Sequence, residues 1–268
     1  MYKLIAIDMD GTLLKEDKTI SSKTKDAIKM ATDKGVKVVL ASGRPIIGLE
    51  PYLAELGLDT EDDYVMSFNG SLVQNSRTKE VVFESALKGT DLKSLYALSK
   101  ELGVNIHAFD TKGCITPAMS EYTELEGRLN HIEVGIVDFN QVSDDEDIIK
   151  IMFVDPEEKL EEAIKKLPAD IYDKYTIVRS APFFLEFLNK ESNKGVGVAA
   201  LAGHLGIKQE EVICMGDAGN DLAMIEYAGM GVAMGNAFEE VKKAANFITL
   251  SNEEDGVAFA INKFILAL

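Results

Sequence analysis

Short apolar runs alternate with helix-like stretches through the first seventy residues of the chain. The runs at 3–8, 36–44 and 64–70 are short and mainly apolar, which is typical of strands buried on both faces. Between them, 21–35 begins with a serine cap, has helical spacing and ends in glycine, and 49–57 is also helix-like. Strands separated by helices predict an α/β fold, with a parallel, doubly wound, Rossmann-like sheet.

The pattern changes after about residue 85 and returns at Lys190. The intervening stretch is acidic and mixes helices with neighbouring strands, as expected of a separate α+β domain. Its predicted helices are 91–102, 120–129 and 157–167, and its predicted strands lie in 105–116, 147–154 and 176–188. After Lys190 we expect helices over 194–205, 221–229, 237–245 and 255–268, and strands over 212–217, 231–235 and 247–250. We therefore predict a core built from 1–85 and 190–268, interrupted by an inserted domain over 86–189.

Composition narrows the class of protein and its partners. The 268 residues are 46% hydrophobic and 27% charged, with no apolar run near the ~20 residues of a membrane helix. Two isolated cysteines, Cys114 and Cys214, predict reduced thiols in a cytoplasmic protein. A net charge of −17 disfavours nucleic-acid and membrane partners, because both are bound by neutralising phosphates. A small phosphorylated ligand would need a local source of positive charge, and the oligomeric state stays open.

Two carboxylates follow the first predicted strand, in Asp8-Met9-Asp10-Gly11-Thr12. Residues two apart on an extended chain point the same way, so Asp8 and Asp10 would face one site. Open parallel sheets bind ligands outside the carboxyl ends of their strands. The alternative is an ordinary polar turn after a strand.

The second strand ends in Ala41-Ser42-Gly43-Arg44-Pro45. The Ser42 hydroxyl, the Gly43 N–H and the Arg44 guanidinium together suit a phosphate group. Serine and glycine before proline are also common in turns, so the alternative is that these residues only form a turn.

Two further clusters lie in the last third of the chain. Asn193-Lys194-Gly195 opens a predicted helix, and Asn193 is a natural cap. Lysine is disfavoured at the positive end of a helix dipole, so Lys194 is easier to explain if anions lie opposite it. In Gly216-Asp217-Ala218-Gly219-Asn220-Asp221, the oxygen ligands suit magnesium, although Asn220 or Asp221 would also cap the next helix.

Taken together and in this order, the motifs DMDGT, ASGRP, NKG and GDAGND resemble those of the haloacid dehalogenase (HAD) superfamily of phosphohydrolases. The likeness covers the whole chain. The position and length of the insert are similar to the cap of the Cof-type branch. The segments FNGSLV and SAPFFLEFLNK look similar to the YidA-like sugar phosphatases within it.

The resemblance implies a role for each matching residue. Asp8 would be the nucleophile that forms an aspartyl-phosphate, and Asp10 the general acid and base, with its pKa raised by neighbouring carboxylates. Mg²⁺ would be held by Asp8, Asp217 and the backbone carbonyl of Asp10, with Asp221 in support. Lys194 and Arg44 would supply the remaining positive charge. Phosphoryl oxygens would be held by Ser42, Gly43 and Asn220.

The substrate is less constrained than the reaction. The inserted cap is expected to close over the site and select the substrate, with Asn69, His107, Arg179 and Glu186 as candidate selecting residues. A sugar phosphate is favoured by the resemblance, ahead of pyridoxal phosphate or flavin mononucleotide. A phosphomutase on the same core stays open. A phospho-accepting signalling module would usually be half this length, and a phosphometabolite sensor would be expected to lack Asp8 or Asp10.

Overall fold

A computed structural model of the protein describes residues 1–110 and 112–267. The strands, in chain order, are β1 Leu4–Asp8, β2 Lys37–Ala41, β3 Tyr64–Ser67, β4 Leu72–Asn75, β5 Val81–Glu84, β6 Leu87–Lys88, β7 Asn105–Phe109, β8 Cys114–Thr116, β9 Val134–Ile136, β10 Asp147–Ile148, β11 Lys150–Val154, β12 Tyr175–Ala181, β13 Phe184–Asn189, β14 Val212–Gly216, β15 Met230–Ala233 and β16 Phe247–Ile248. The helices are α1 Ser22–Asp33, α2 Glu50–Leu56, α3 Gly89–Leu102, α4 Glu121–Asn130, α5 Glu157–Lys165, α6 Ile171–Lys174, α7 Lys194–His204, α8 Leu222–Tyr227, α9 Glu239–Ala244 and α10 Gly256–Ile261.

The larger sheet has the strand order β16-β15-β14-β1-β2-β3-β4-β5. Every pairing from β16 to β3 is parallel, and β4 turns back to pair antiparallel with β3. Ile5 is in register with Ile213 on one side and Val38 on the other. Strand β1 is therefore central and wholly buried, as its continuous apolar run predicts. The α/β fold class with a parallel-rich sheet is confirmed.

Helices cover this sheet through the apolar faces that their spacing predicts. Ser21 caps α1 by accepting a hydrogen bond from the Thr24 N–H, and the helix buries Ala27, Ile28 and Ala31. Helix α1 packs against α10, and α7 packs against α8. One continuous apolar core joins these helices to β1, β2, β3, β14 and β15.

The chain divides into two compact units, which are residues 1–83 with 193–268, and residues 84–192. The sequence placed these boundaries two or three residues away, at 85/86 and 189/190. The second unit contains a sheet with the order β12-β13-β11-β7-β8-β9 and the short antiparallel pair β6 and β10. Its own core includes Leu92 and Leu95 of α3 with Ile151 and Phe153 of β11.

Some local structure differs from the sequence prediction. The final α-helix ends at Ile261 and continues as a π-helix over Asn262–Leu266, and position 268, where the predicted helix ends, lies outside the described residues. Of the predicted hairpin over 105–116, the strands are present as β7 and β8, and residue 111 lies outside the described residues. Strands β4, β5, β6 and β9 were not predicted. Among the described residues, none of the helices has both the length and the apolar character needed to cross a bilayer.

Candidate active site

The four predicted motifs lie at one edge of the larger sheet. Asp8 is the last residue of β1, and β2 ends one position from Ser42. Strand β14 ends at Gly216, directly before Asp217. Because β14, β1 and β2 are parallel neighbours, their carboxyl ends meet, and so do the loops that follow them.

The centre of the site is a buried ion cluster. Lys194 begins α7, and its side chain is completely inaccessible to solvent. Its Nζ lies 2.5 Å from Asp8 Oδ1 and 2.6 Å from Asp221 Oδ1. Burial alone would lower the pKa of Lys194, but the Asp221 and Asp8 carboxylates raise it above the ordinary lysine value. The ammonium therefore stays charged, and Asp8 and Asp221 are the anions that lie opposite Lys194.

Asp221 organises the loop after β14. Its Oδ2 accepts hydrogen bonds from the backbone N–H groups of Asp217 and Ala218, both at 3.0 Å. Its other oxygen accepts from Lys194. Both carboxylate oxygens of Asp221 are thus engaged, and the loop is held in the shape that brings Asp217 towards Asp8.

Asp217 is fixed from the opposite side by the first motif. Thr12 Oγ1 donates to Asp217 Oδ1 at 2.9 Å. Gly11 has a φ of +88°, and a Cβ built there would lie 2.4 Å from Asp217 Oδ2. The turn after Asp10 needs glycine for both reasons, since a side chain would be strained and would displace Asp217.

Three carboxylates converge here against one ammonium. Asp8, Asp217 and Asp221 each offer an oxygen, and these oxygens lie within 4.8 Å of one another. Burial, followed by repulsion from Asp221, raises the pKa of Asp8 well above its usual value. Burial is also the largest cause of the raised pKa of Asp217. Carboxylates at about 4 Å repel by about 4 kcal/mol each at an effective dielectric of 20, so Lys194 alone does not balance the cluster.

The residues present fit a hard divalent cation. The donors are carboxylate oxygens, as Mg²⁺ prefers, and the local charge deficit is that of a divalent ion. Asp8, Asp217 and Asp221 would hold it. The Asp10 carboxylate is not part of this group. Asp10 would therefore contribute to metal binding through its backbone carbonyl, as the resemblance of the motifs implies.

Asp10 differs from the sequence expectation in its charge environment. Arg44 Nε lies 2.8 Å from Asp10 Oδ2 and Arg44 Nη2 lies 2.7 Å from Oδ1, which Lys18 Nζ also contacts at 2.7 Å. Burial would raise the pKa of Asp10, but the hydrogen bonds from Arg44 and Lys18 outweigh it and lower the pKa. The expectation that neighbouring carboxylates raise this pKa was wrong, because two cations contact the carboxylate instead.

The residues predicted to bind the substrate lie in the loops that follow β2, β3 and β14. Ser42 is buried and its Oγ accepts from the Arg44 N–H at 3.2 Å. Asn69 is buried as well, and its Oδ1 accepts from Asn220 Nδ2 at 3.0 Å. Ser42, Gly43, Arg44, Asn69 and Asn220 therefore all lie in the same unit as Asp8.

Sequence reasoning missed Lys18 and Asn236. Asn236 Nδ2 donates to the carbonyl of Gly11 at 2.8 Å and so supports the turn of the first motif. Lys18 lies in a polar loop where a lysine is unremarkable, and its positive φ of 64° is visible only in the folded chain. Asn236 directly follows the predicted strand 231–235, and this position at a strand end is the signal that could have found it.

The cap candidates make contacts within their own unit. His107 is fully buried beside Thr123 Oγ1 and Met152 Sδ, and burial lowers its pKa to about 3. Glu186 is buried and pairs with Lys150 at 3.1 Å. Arg179 contacts Glu161 at 3.1 Å and the carbonyl of Ala181 at 3.0 Å. Cys114 and Cys214 are buried free thiols.

This combination of sheet order and strand-end carboxylates defines a class of enzyme. The pattern of the haloacid dehalogenase-like hydrolases matches residues 5–261, and the chain belongs to that family. It is a hydrolase.

Individual relatives cover the chain from end to end. It is 51% identical over 269 residues to a Bacillus subtilis protein named "Putative phosphatase YxeH", with 100% of each chain covered. It is 32% identical to the 5-amino-6-(5-phospho-D-ribitylamino)uracil phosphatase YitU of Bacillus subtilis, with 97% of each chain covered. A solved HAD subclass IIB sugar phosphatase superimposes with a TM-score of 0.79 at 29% identity, covering 98% of both chains. The resemblance inferred from the motifs is confirmed.

Proposed function

We propose that this protein is a Mg²⁺-dependent phosphatase that hydrolyses small phosphate monoesters, with sugar phosphates favoured, through an aspartyl-phosphate on Asp8. The observation that supports this most is the buried contact of Lys194 with both Asp8 and Asp221, next to Asp217. A nucleophile held beside a buried cation and further carboxylates is suited to attack on a phosphate ester. Phosphoryl transfer depends chiefly on such positioning and charge stabilisation.

Asp8 would carry out the first step. One of its carboxylate oxygens attacks phosphorus, the bond from phosphorus to the ester oxygen breaks, and the phosphoryl group becomes bound to Asp8. Lys194, 2.5 Å from Asp8 Oδ1, orients that carboxylate and offsets the negative charge that develops on the phosphoryl group. The Asp8, Asp217 and Asp221 carboxylates, with the Asp10 carbonyl, would hold Mg²⁺, which supplies positive charge for the phosphoryl oxygens.

Asp10 would move the protons. It donates one to the departing ester oxygen, then takes one from the water that attacks the aspartyl-phosphate, which returns Asp8 to its carboxylate form. Its contacts with Arg44 and Lys18 favour the ionised carboxylate. We propose that an arriving phosphate group draws Arg44 away from Asp10, which raises the pKa of Asp10 and permits protonation.

The leaving group would be recognised chiefly by residues 84–192, for which we propose the role of a specificity cap. The structural similarity to a subclass IIB sugar phosphatase supports sugar phosphates. The relative that acts on a phosphorylated ribitylaminouracil supports a second candidate, a flavin-related phosphate ester. Two further candidates are hydrolysis of pyridoxal phosphate and a phosphomutase reaction on the same core. The substrate panel described next distinguishes them.

The test is phosphate release with Mg²⁺ from sugar phosphates, pyridoxal phosphate, flavin mononucleotide and p-nitrophenyl phosphate, with Asp8→Asn beside the wild type. We expect turnover in the wild type and a loss of at least about 10⁴-fold in Asp8→Asn, because the nucleophile is removed. Asp33→Asn, on the exposed end of α1, is the matched control and should retain full activity. Folded wild-type protein that releases no phosphate from any ester would overturn the proposal, and dependence on a bisphosphate would indicate a mutase.

A further inference from the structure

The turn after β3, Phe68–Gly70, has a backbone conformation that is costly for most residues, and we call it the Asn69 turn. Its residues have φ values of 50° at Phe68, 56° at Asn69 and 89° at Gly70. Glycine adopts this left-handed region freely and asparagine tolerates it, but phenylalanine does not. Strained backbone of this kind persists where surrounding contacts stabilise it, and it concentrates at functional sites.

The Asn69 turn contacts the loop that follows β2. The Asn69 N–H donates to the Ser42 carbonyl at 2.9 Å, and the Phe68 N–H donates to the Arg44 carbonyl at 3.1 Å. The Asn69 amide packs against Gly43, where an added Cβ would lie 3.1 Å from Asn69 Nδ2. The shape of the proposed phosphate loop therefore depends on this turn.

The same side chain contacts the loop that follows β14. Asn220 Nδ2 donates to Asn69 Oδ1 at 3.0 Å, and Asn69 is only 6% exposed. An asparagine amide rotates freely at the end of its side chain unless hydrogen bonds fix it. The bond to Asn69 fixes the plane of the Asn220 amide, and with it the direction of the remaining N–H and of the oxygen.

The third contact is with the start of α7. A Cβ built on Gly70 would lie 2.4 Å from the Asn193 carbonyl oxygen and 3.0 Å from Lys194 Cα. The backbone of the turn thus packs directly on the residues that carry Lys194. Ser42, Asn220 and Lys194, which are far apart in sequence, all adjoin this one turn.

We propose that Asn69 is a positioning residue for phosphate binding: it orients Asn220 and holds the Ser42–Arg44 loop, and it does not itself contact the phosphoryl group. This assignment rests on the proposed phosphatase function. It changes the role of Asn69 from the substrate-selecting residue that the sequence suggested to one that acts through its neighbours. Its consequence is that loss of the Asn69 amide weakens binding of every phosphate ester alike, whatever the leaving group.

Asn69→Gly is the informative variant, because glycine keeps the left-handed backbone and removes only the amide. We expect the KM of p-nitrophenyl phosphate and of the best sugar phosphate to rise by about tenfold each, with kcat changed by less than about threefold. The inhibition constant of inorganic phosphate should rise by a similar factor. In combination with Asn220→Ala, the double variant should lose less than the product of the two single losses, since Asn69 acts in part through Asn220.

Asn75→Gly is the matched control. Asn75 is a buried asparagine at the end of β4 whose amide bonds to Glu61, away from the site. Its KM should match the wild type even if its melting temperature falls. Unchanged KM and phosphate inhibition in Asn69→Gly, or losses that add in full to those of Asn220→Ala, would overturn the positioning role while leaving the phosphatase function intact. Should the wild type hydrolyse no ester, calorimetric binding of inorganic phosphate with Mg²⁺ makes the same comparison.

Discussion

Among residues 1–110 and 112–267, two lysines are fully buried, one in each compact unit, and they have different surroundings. Lys194 begins a helix, contacts Asp8 and Asp221, and lies beside a third carboxylate, Asp217. Lys150 lies within β11, pairs with Glu186 at 3.1 Å, and is 5.0 Å from the centre of the Phe109 ring. A buried ammonium is costly to desolvate, so both lysines need acidic partners to stay charged.

The difference shows that a buried ion pair does not by itself indicate a catalytic site. Around Lys194, strand-end loops bring in more negative charge than the lysine neutralises, which favours an added cation and a phosphate ligand. Lys150 is the first residue of β11, where it is in register with Phe109 of β7. We infer that the first cluster serves chemistry and that the second stabilises its domain.

The largest expected effect separates the two lysines by activity. Lys194→Met should lower kcat/KM for p-nitrophenyl phosphate by about a thousandfold at saturating Mg²⁺, because the cation beside the nucleophile is lost. Lys150→Met should stay within about threefold of wild type below its unfolding temperature, since the Lys150–Glu186 ion pair lies in the other compact unit from Asp8. Steady-state kinetics on both variants measure these losses. Equal losses would mean that Lys150 is needed for catalysis as much as Lys194 is.

The second effect distinguishes the two lysines by their contribution to the free energy of unfolding. Lys150→Met leaves Glu186 buried without its partner and should lower the free energy of unfolding by about 3–5 kcal/mol. Adding Glu186→Leu should recover part of this loss, because it removes one buried carboxylate while the buried Glu126 remains. Urea denaturation followed by circular dichroism measures both. A double variant as unstable as Lys150→Met would mean that the ion pair itself is needed for the fold.

Metal binding should be visible as stabilisation of the first unit. At Mg²⁺ concentrations of about 100 times the dissociation constant, the free energy of unfolding should rise by about 2.7 kcal/mol over protein in chelator. Asp217→Asn should lose most of this gain, because a carboxylate ligand is removed. Thermal denaturation with and without Mg²⁺ tests this. An identical gain in Asp217→Asn would place the metal elsewhere.

The smallest effect concerns His107 in the second unit. Burial lowers its folded-state pKa to about 3, against 6.5 for the ordinary residue, so the unfolded chain binds more protons between these values. Stability from the neutral imidazole is therefore present above pH 6.5 and is lost as the pH falls. Between pH 6.5 and 5 the wild type should lose about 1.5 kcal/mol more than His107→Gln. Urea titrations at the two pH values provide the measurement, and parallel losses would show that His107 titrates normally.

The sequence by itself determined the α/β architecture and the position of most of the site. Alternating apolar runs and helices predict parallel strands, and the carboxyl ends of parallel neighbours meet at one edge. Asp8, Ser42 and Asp217 follow such strands directly, so local pattern was enough to bring them together. The resemblance of the motifs to those of a known family then indicated the correct enzyme family.

Only the tertiary structure decided how these groups are charged and held. Lys194 reaches Asp8 across 186 residues of sequence, and Asp10 is paired with Arg44 and Lys18 and not with carboxylates. Three successive positive φ angles place Asn69 between Gly43 and Asn220. A pKa depends on the charges within a few ångströms, and a left-handed turn on the packing that stabilises it. Both are set by residues distant in the chain, which no local pattern records.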